Sequence, residues 1–378
     1  MILFIDSILT PYQIARYNAL HKAFNGSIEV WFQDSGEKFR NWKKFKNIRF
    51  KYEILNLFKI NILGSDLLNI RINTGVIAKL NPIKHKIDQV IITGWDQPIC
   101  LIICLWAKKN KIRVTLRAGS TLMEKSLLRT ITMPYVKWFV KLFDNYISYG
   151  TSSSNYLVSL GAQRKKILNY YNTVDVKYFM SKSKNDRKYL LKKNNIKNDE
   201  FVILSNGRFV RRKQFYFLIK VFKKFNKIYP KSKLIIVGDG PELKKCKSLA
   251  GNLLNKKIYL PGFIQHDELP DYYYISNLFV LSSSTEVWGL VVNEAMSCGL
   301  PVLTSNTAGC VADLIVEGKT GYIFNPNSQE ELLSNLVRMY NIFLNKKRMN
   351  EMGNNAIKHI KNYTIEKNIN RMKVFLKK

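Results

Sequence analysis

Short apolar, β-rich runs alternate with helical stretches along most of this chain. That alternation points to parallel sheets covered by helices. In the first half the runs are residues 2–5, 28–32, 90–93, 113–116 and 146–149. Pro11 opens a helix over residues 12–23 and Pro98 opens another, since a first helical turn has no use for the missing proline N–H. The rhythm breaks over residues 172–200, which are polar and rich in Lys and Asn. A second series follows at 201–205, 234–237, 258–260, 278–281, 302–304 and 322–324, and residues 330–378 read as helix with no further strand. A chain of 378 residues is too long for one ordinary core. The expected fold class is α/β, with two Rossmann-like, doubly wound domains facing each other across a cleft. The first spans residues 1–171 and the second 201–362. Residues 172–200 connect them, and a terminal helix over 363–378 packs back on the first. Ligands of such sheets bind outside the carboxyl ends of the strands.

Composition narrows the functional classes. An apolar content of 46% and an aromatic content of 12% are enough for packed cores, which excludes a disordered chain. No apolar run reaches the roughly 20 residues that a spanning helix needs. The first residues read as a strand rather than a leader, so the chain is expected in the cytoplasm. Cysteines stand at 100, 104, 246, 298 and 310 without a Cys-x-x-Cys pair, which fits reduced thiols in cores and gives no metal site. The net charge is +34, with +16 in residues 1–180 and +18 in the rest. This spread gives no nucleic-acid-binding arm. A coding bias toward Lys, Asn and Ile accounts for it as well as a general attraction for anionic ligands does.

Four elements of the second half converge on a phosphate-bearing ligand. Asn206-Gly207-Arg208-Phe209 follows a strand and leads into Arg211-Arg212-Lys213. Arg208 offers a planar fork to a diphosphate and Lys213 a point charge, although a solvated basic turn reads the same way. Gly238-Asp239-Gly240-Pro241-Glu242 follows the next strand as a tight turn into a helix. The glycines suit close ligand approach and plain turn chemistry equally. Pro261-Gly262-Phe263 closes a third strand with the same two readings. The fourth element, EVWGLVVNEAMSCGLP at 286–301, is the most specific. Seven residues separate Glu286 from Glu294. Gly289 and Leu290 open a helix whose first N–H groups can meet an anion. Glu294, one and a half turns on, is placed to hold the vicinal hydroxyls of a ribose. Glu286, on the loop, is free to face a sugar.

These residues resemble the retaining glycosyltransferases of the group 1 type, family 4, of the GT-B fold. The order Gly207-Arg208…Lys213, Gly238-Asp239-Gly240-Pro241-Glu242, Gly262-Phe263, Glu286…Glu294 and Gly318…Thr320-Gly321 is similar to that family over residues 201–325. Asn172-Thr173-Val174-Asp175 resembles its inter-domain motif, and Gly150…Leu160-Gly161 the end of its first domain. The resemblance implies a nucleotide diphosphate sugar donor (UDP- or GDP-sugar), no metal and no cofactor. It implies that Arg208 and Lys213 bind the diphosphate, that Glu294 holds the ribose, and that Glu286 contacts the transferred sugar. A retaining hexosyltransferase of bacterial surface-polysaccharide or lipid-linked oligosaccharide assembly is the expected activity.

The first domain is expected to take the saccharide or lipid-linked acceptor. Here the chain departs from the family pattern. It has Ser7-Ile8-Leu9-Thr10 in place of a Gly-Gly loop, and Arg117-Ala118-Gly119-Ser120 where many relatives carry a His. Trp95, Asp96, Arg117 and Arg129 are the candidate acceptor-side residues, and a structural role stands beside each. Tyr135, Trp138, Phe139, Leu142 and Phe143 form an apolar stripe at helical spacing. Covering the sheet explains it, and so does peripheral contact with an anionic membrane at the inner face of the cytoplasmic membrane. The run Lys43-Lys44-Phe45-Lys46, with Arg49 and Lys51, offers a second lipid contact. Two rivals remain: a sugar-nucleotide 2-epimerase of the same fold, and a basic nucleic-acid-binding protein.

Overall fold

The computed structural model describes residues 1–34, 45, 47–55, 58–61, 69–72, 75–124, 126–181 and 186–376. They form two compact units. One holds the described residues up to Asn172 together with those from Ile365 onward, and the other holds Thr173–Thr364.

The first unit begins with β1 (Ile2–Ile8), α1 (Pro11–Ala23), β2 (Ile28–Asp34) and β3 (Lys51–Ile54). Two short strands, β4 (Phe58–Asn61) and β5 (Asn69–Ile72), pair antiparallel as a sheet of their own. Then come α2 (Val76–Leu80), β6 (Gln89–Thr93), α3 (Pro98–Lys109), β7 (Arg113–Ala118), α4 (Leu127–Lys141), β8 (Asn145–Ser148), α5 (Thr151–Ser159) and β9 (Ile167–Asn169). Seven strands make one sheet in the order β3-β2-β1-β6-β7-β8-β9, and every pairing in it is parallel. Helices cover both faces, so a central strand such as β6 buries Val90, Ile91 and Ile92 in succession instead of alternating.

The second unit runs α6 (Val176–Met180), α7 (Arg187–Lys193), β10 (Phe201–Asn206), α8 (Phe215–Ile228), β11 (Ser232–Val237), α9 (Leu243–Ala250) and β12 (Ile258–Gly262). It continues with α10 (Leu269–Ile275), β13 (Leu278–Leu281), α11 (Leu290–Ser297), β14 (Val302–Ser305), α12 (Val311–Leu314), β15 (Gly321–Phe324), α13 (Gln329–Leu344) and α14 (Lys346–Ile360). Its parallel sheet has the order β12-β11-β10-β13-β14-β15. α8 shows why the helices dock: Phe215, Leu218, Ile219, Phe222 and Phe225 recur at helical spacing and are buried against the sheet. Lys220, Lys224 and Lys227 point outward.

The last helix, α15 (Ile365–Leu376), returns to the first unit. Ile365, Ile369 and Met372 join Tyr17 and Leu20 in one apolar cluster, and Asn368 Nδ2 donates to the Tyr171 carbonyl at 2.6 Å.

Both sheets are of the Rossmann-like kind expected. β3, β9 and the β4–β5 pair are additions. The first two are edge strands, and an edge strand need not carry an apolar run: β3 is exposed or half-buried throughout. The apolar stripe on α4 needs correction. Phe139 and Phe143 are buried in the core with Val136 and Val140, whereas Tyr135 and Trp138 are exposed. The five residues do not share one face toward a membrane, because the sheet claims the aromatic pair at 139 and 143. Lys43, Lys44 and Lys46 lie outside the described residues. Lys51 pairs with Glu29 at 2.8 Å. Among the described residues no helix is long and apolar enough to cross a membrane.

Candidate functional site

In the second unit the strand order reverses between β10 and β13, so the chain leaves these neighbouring strands toward opposite sides. The residues singled out in the sequence gather at these strand ends. Gly207 N donates to the Val237 carbonyl at 3.0 Å, Phe209 N to the Asp239 carbonyl at 2.8 Å, and Gly238 N to the Gly262 carbonyl at 2.8 Å. Backbone bonds thus tie together the loops after β10, β11 and β12. The Gly-x-Gly turn serves this packing. A Cβ on Gly238 would lie 1.9 Å from the Gly207 carbonyl oxygen, and one on Gly240 would lie 2.6 Å from that of Phe209. Beside ligand approach and plain turn chemistry, the two readings given for these glycines, the geometry shows a third cause, close approach of protein backbone. Glu242 stands at the N-cap position of α9 without a side-chain capping bond and pairs with Lys245 at 3.2 Å. Phe263 is half-buried beyond β12.

Arg208 is half-buried in the first loop. Lys213 follows in a short 3-10 turn, Arg211–Lys213, whose carbonyls are held by the loop after β13. Ser282 Oγ donates to the Lys213 carbonyl at 2.9 Å and Ser284 N to the Arg212 carbonyl at 2.8 Å. This lacing brings the Lys213 ammonium onto Glu286 Oε2, and both side chains are about nine-tenths buried. Arg212 Nη1 stands 4.0 Å from Glu286 Oε1, and Ser283 Oγ donates to Oε2 at 3.4 Å. Burial alone would raise the Glu286 carboxyl. The Lys213 charge and hydrogen bond, helped by Arg212 and Ser283, outweigh it and hold the group below the usual carboxylate range.

Gly289, in a left-handed conformation, precedes α11, and half-buried Leu290 starts the helix. No side chain caps the helix. Glu294, further along it, has no solvent exposure. The Tyr273 hydroxyl donates to Glu294 Oε2 at 2.6 Å, and Asn206 Nδ2 donates to the same hydroxyl at 3.3 Å. Tyr273, on α10, was not singled out from the sequence. It belongs to a run of three tyrosines at 272–274, and only the packing of α10 decides which one turns inward.

In the first unit the four acceptor-side candidates separate. Arg117 is 1% exposed and pairs with Asp6, which is equally buried. The Tyr17 hydroxyl donates to Asp6 Oδ2 at 2.6 Å, and Arg117 Nη1 donates to that hydroxyl at 3.2 Å. Burial opposes the Asp6 charge, yet Arg117 and the Tyr17 hydrogen bond leave its carboxyl lowered. Arg117 is thus engaged in a buried network linking the ends of β1 and β7. Arg129 instead lies 4.4 Å above the ring of Tyr156, donates to its hydroxyl at 3.1 Å and pairs with Glu124 at 3.0 Å. Trp95 packs on the same tyrosine, with ring centroids 6.2 Å apart. Trp95 and Arg129 therefore meet at Tyr156. Asp96 is exposed and accepts from Gln97 at 3.1 Å. Among the described residues no group of three or more His, Cys, Asp or Glu is arranged to hold a metal.

Residues 186–359 match the family model of glycosyl transferases group 1. The matched stretch contains all the second-unit candidates described above. Over 146 residues the chain is 37% identical to an alpha-monoglucosyldiacylglycerol synthase of Acholeplasma laidlawii, covering 38% of this chain and 36% of the synthase. Over 305 residues it is 27% identical to an N-acetyl-alpha-D-glucosaminyl L-malate synthase of Bacillus anthracis, covering 78% and 75% of the two chains. The chain thus spans about a third of the first relative's length and three-quarters of the second's. In fold it is similar to Anabaena Alr3699/HepE, solved in complex with UDP, with a TM-score of 0.78, 17% identity and coverage of 100% and 99%.

Proposed function

We infer that this protein is a retaining glycosyltransferase. It moves a hexose from a nucleotide diphosphate sugar to a saccharide or lipid-linked acceptor, in surface polysaccharide or glycolipid assembly. The observation that carries this reading is the Lys213–Glu286 pair at neighbouring strand ends. It sets a cation beside the place where a diphosphate departs, and a carboxylate beside the place where positive charge grows on the sugar. In this reading Arg208, Lys213 and the start of α11 neutralise the leaving diphosphate without a metal. Glu294 holds the ribose, and Gly207, Gly238, Gly240, Glu242, Gly262, Phe263, Gly289 and Leu290 form the walls. The group 1 match, the glycolipid relative and the UDP-bound structural neighbour support it. The cluster of Trp95, Arg129 and Tyr156, with Asp96 nearby in sequence, is the proposed acceptor side.

The test is a panel of UDP- and GDP-sugars, with and without saccharide and lipid-linked acceptors. Release of nucleoside diphosphate and the anomeric configuration of the product are read together. Acceptor-dependent release with retained configuration is the expected result. Conversion of the donor alone to a new sugar nucleotide would instead identify a 2-epimerase. Absence of binding to every nucleoside diphosphate, with salt-sensitive binding to DNA, would overturn the reading in favour of a nucleic-acid-binding protein.

A further inference from the structure

Most large apolar side chains of this protein are buried, but those of one short stretch are not. Leu122, Met123, Leu127, Leu128, Ile131, Tyr135 and Trp138 are all exposed, with Leu127 at 78%, Ile131 at 68% and Trp138 at 48%. Five of the seven lie on α4. At about 100° per residue, positions 127, 128, 131, 135 and 138 fall within an arc of about 100°; the buried Phe139 borders this arc, and the buried Val136 and Val140 lie well outside it. The helix is therefore apolar on two faces. The sheet accounts for one, and the other is exposed among the described residues.

Charge indicates what covers it. Residues 122–143 contain Lys125, Arg129, Lys137 and Lys141 against one carboxylate, Glu124, which is paired with Arg129 at 3.0 Å. Lys137 and Lys141 are exposed and border one edge of the arc. An aliphatic and aromatic band edged by lysines, on a helix without carboxylates, suits the boundary between acyl chains and anionic headgroups. A soluble protein partner would call for polar groups of both signs around such a patch, and the charged residues of this helix are all cations, its threonine hydroxyls being bonded to the helix backbone. Arg129 belongs to the same helix and turns inward to stack on Tyr156.

We propose that the exposed face of α4, with Leu122 and Met123 before it, docks this protein on an anionic lipid surface and so presents lipid-linked acceptors to the Arg129–Tyr156–Trp95 cluster. The docking surface stands on exposure and charge alone; the role given to the cluster rests on the glycosyltransferase reading.

The experiment is co-sedimentation of the 378-residue chain with phosphatidylcholine vesicles and with vesicles that also contain phosphatidylglycerol. Three proteins are compared: wild type, Ile131→Ser/Trp138→Ser, and Lys137→Gln/Lys141→Gln. Both substituted pairs are exposed, so circular dichroism and the melting temperature should match wild type. Wild type is expected to bind the anionic vesicles, and each double variant to bind them about tenfold more weakly. Brominated acyl chains should quench Trp138 fluorescence, seen as the difference between wild type and a Trp138→Phe variant. Absence of binding at low salt would overturn the proposal. So would binding that the serine pair leaves unchanged, which would show that diffuse charge alone attracts the protein. A self-associating wild type that becomes monomeric in the serine variant would assign the face to a second copy and also overturn it. UDP and GDP binding, measured without vesicles, reports the glycosyltransferase reading separately.

Discussion

The Tyr273 hydroxyl donates to Glu294 across 2.6 Å, and neither side chain reaches solvent. One oxygen of the carboxylate is thereby fixed by α10. Glu294→Ala is expected to weaken nucleoside diphosphate binding by about 1.5–3 kcal/mol, the cost of losing charge-assisted hydrogen bonds to a hydroxyl pair. Tyr273→Phe should weaken it less, and the double variant should be no worse than Glu294→Ala, since the tyrosine acts through the glutamate. Calorimetric titration with UDP and GDP measures all three. Additive losses would remove Tyr273 from this positioning role.

The Lys213–Glu286 pair makes a pH prediction. The Glu286 carboxyl is held below its ordinary value of 4.5 in the folded protein. Its contribution is therefore complete above that value and is lost only as pH falls through the lower folded value. In Lys213→Met burial acts with little opposition, so Glu286 should titrate higher. The acid limb of the residual donor turnover should move up with it. An acid limb in the same place as in wild type would show that the pair does not control this carboxylate.

Transfer itself should separate from binding at the same residues. Glu286→Gln, Arg208→Ala and Lys213→Ala are each expected to slow single turnover more than they weaken donor affinity, because the charges they meet grow in the transition state. Wild-type single-turnover rates in all three would refute these roles.

Arg117 should behave as part of the framework. Removing one member of a buried ion pair leaves the other uncompensated. Arg117→Ala is therefore expected to cost about 3–5 kcal/mol of stability, and Asp6→Leu/Arg117→Met much less. Urea unfolding followed by circular dichroism reads both. A stable Arg117→Ala protein with a raised KM for acceptor alone would return Arg117 to the acceptor side.

Gly238 offers a local test of how the loops are tied. With a Cβ placed 1.9 Å from the Gly207 carbonyl, Gly238→Ala must push the loops after β10 and β11 apart. The expected result is a lower melting temperature together with loss of nucleoside diphosphate binding. Unchanged binding would show that the donor loops tolerate the displacement.

The regular repetition of β-runs and helices was enough to establish two Rossmann-like sheets, because a strand buried on both faces is apolar over most of its length. The same local logic placed the sequence candidates of the second half at strand ends, since a glycine-bearing loop after such a strand has few other places to go. What sequence spacing could not decide is which partner each polar side chain meets. Glu286 and Lys213 are 73 residues apart in the chain, and Arg117 and Asp6 are 111. These pairs exist only because parallel strands bring distant loop ends together. Nor could spacing tell the two apolar faces of α4 apart. Both satisfy helical periodicity, and only the position of the sheet buries Phe139 and leaves Trp138 outside. Periodicity is a property of neighbours along the chain and is written in the sequence, whereas pairing and exposure depend on what packs against the helix or strand, which tertiary structure alone decides.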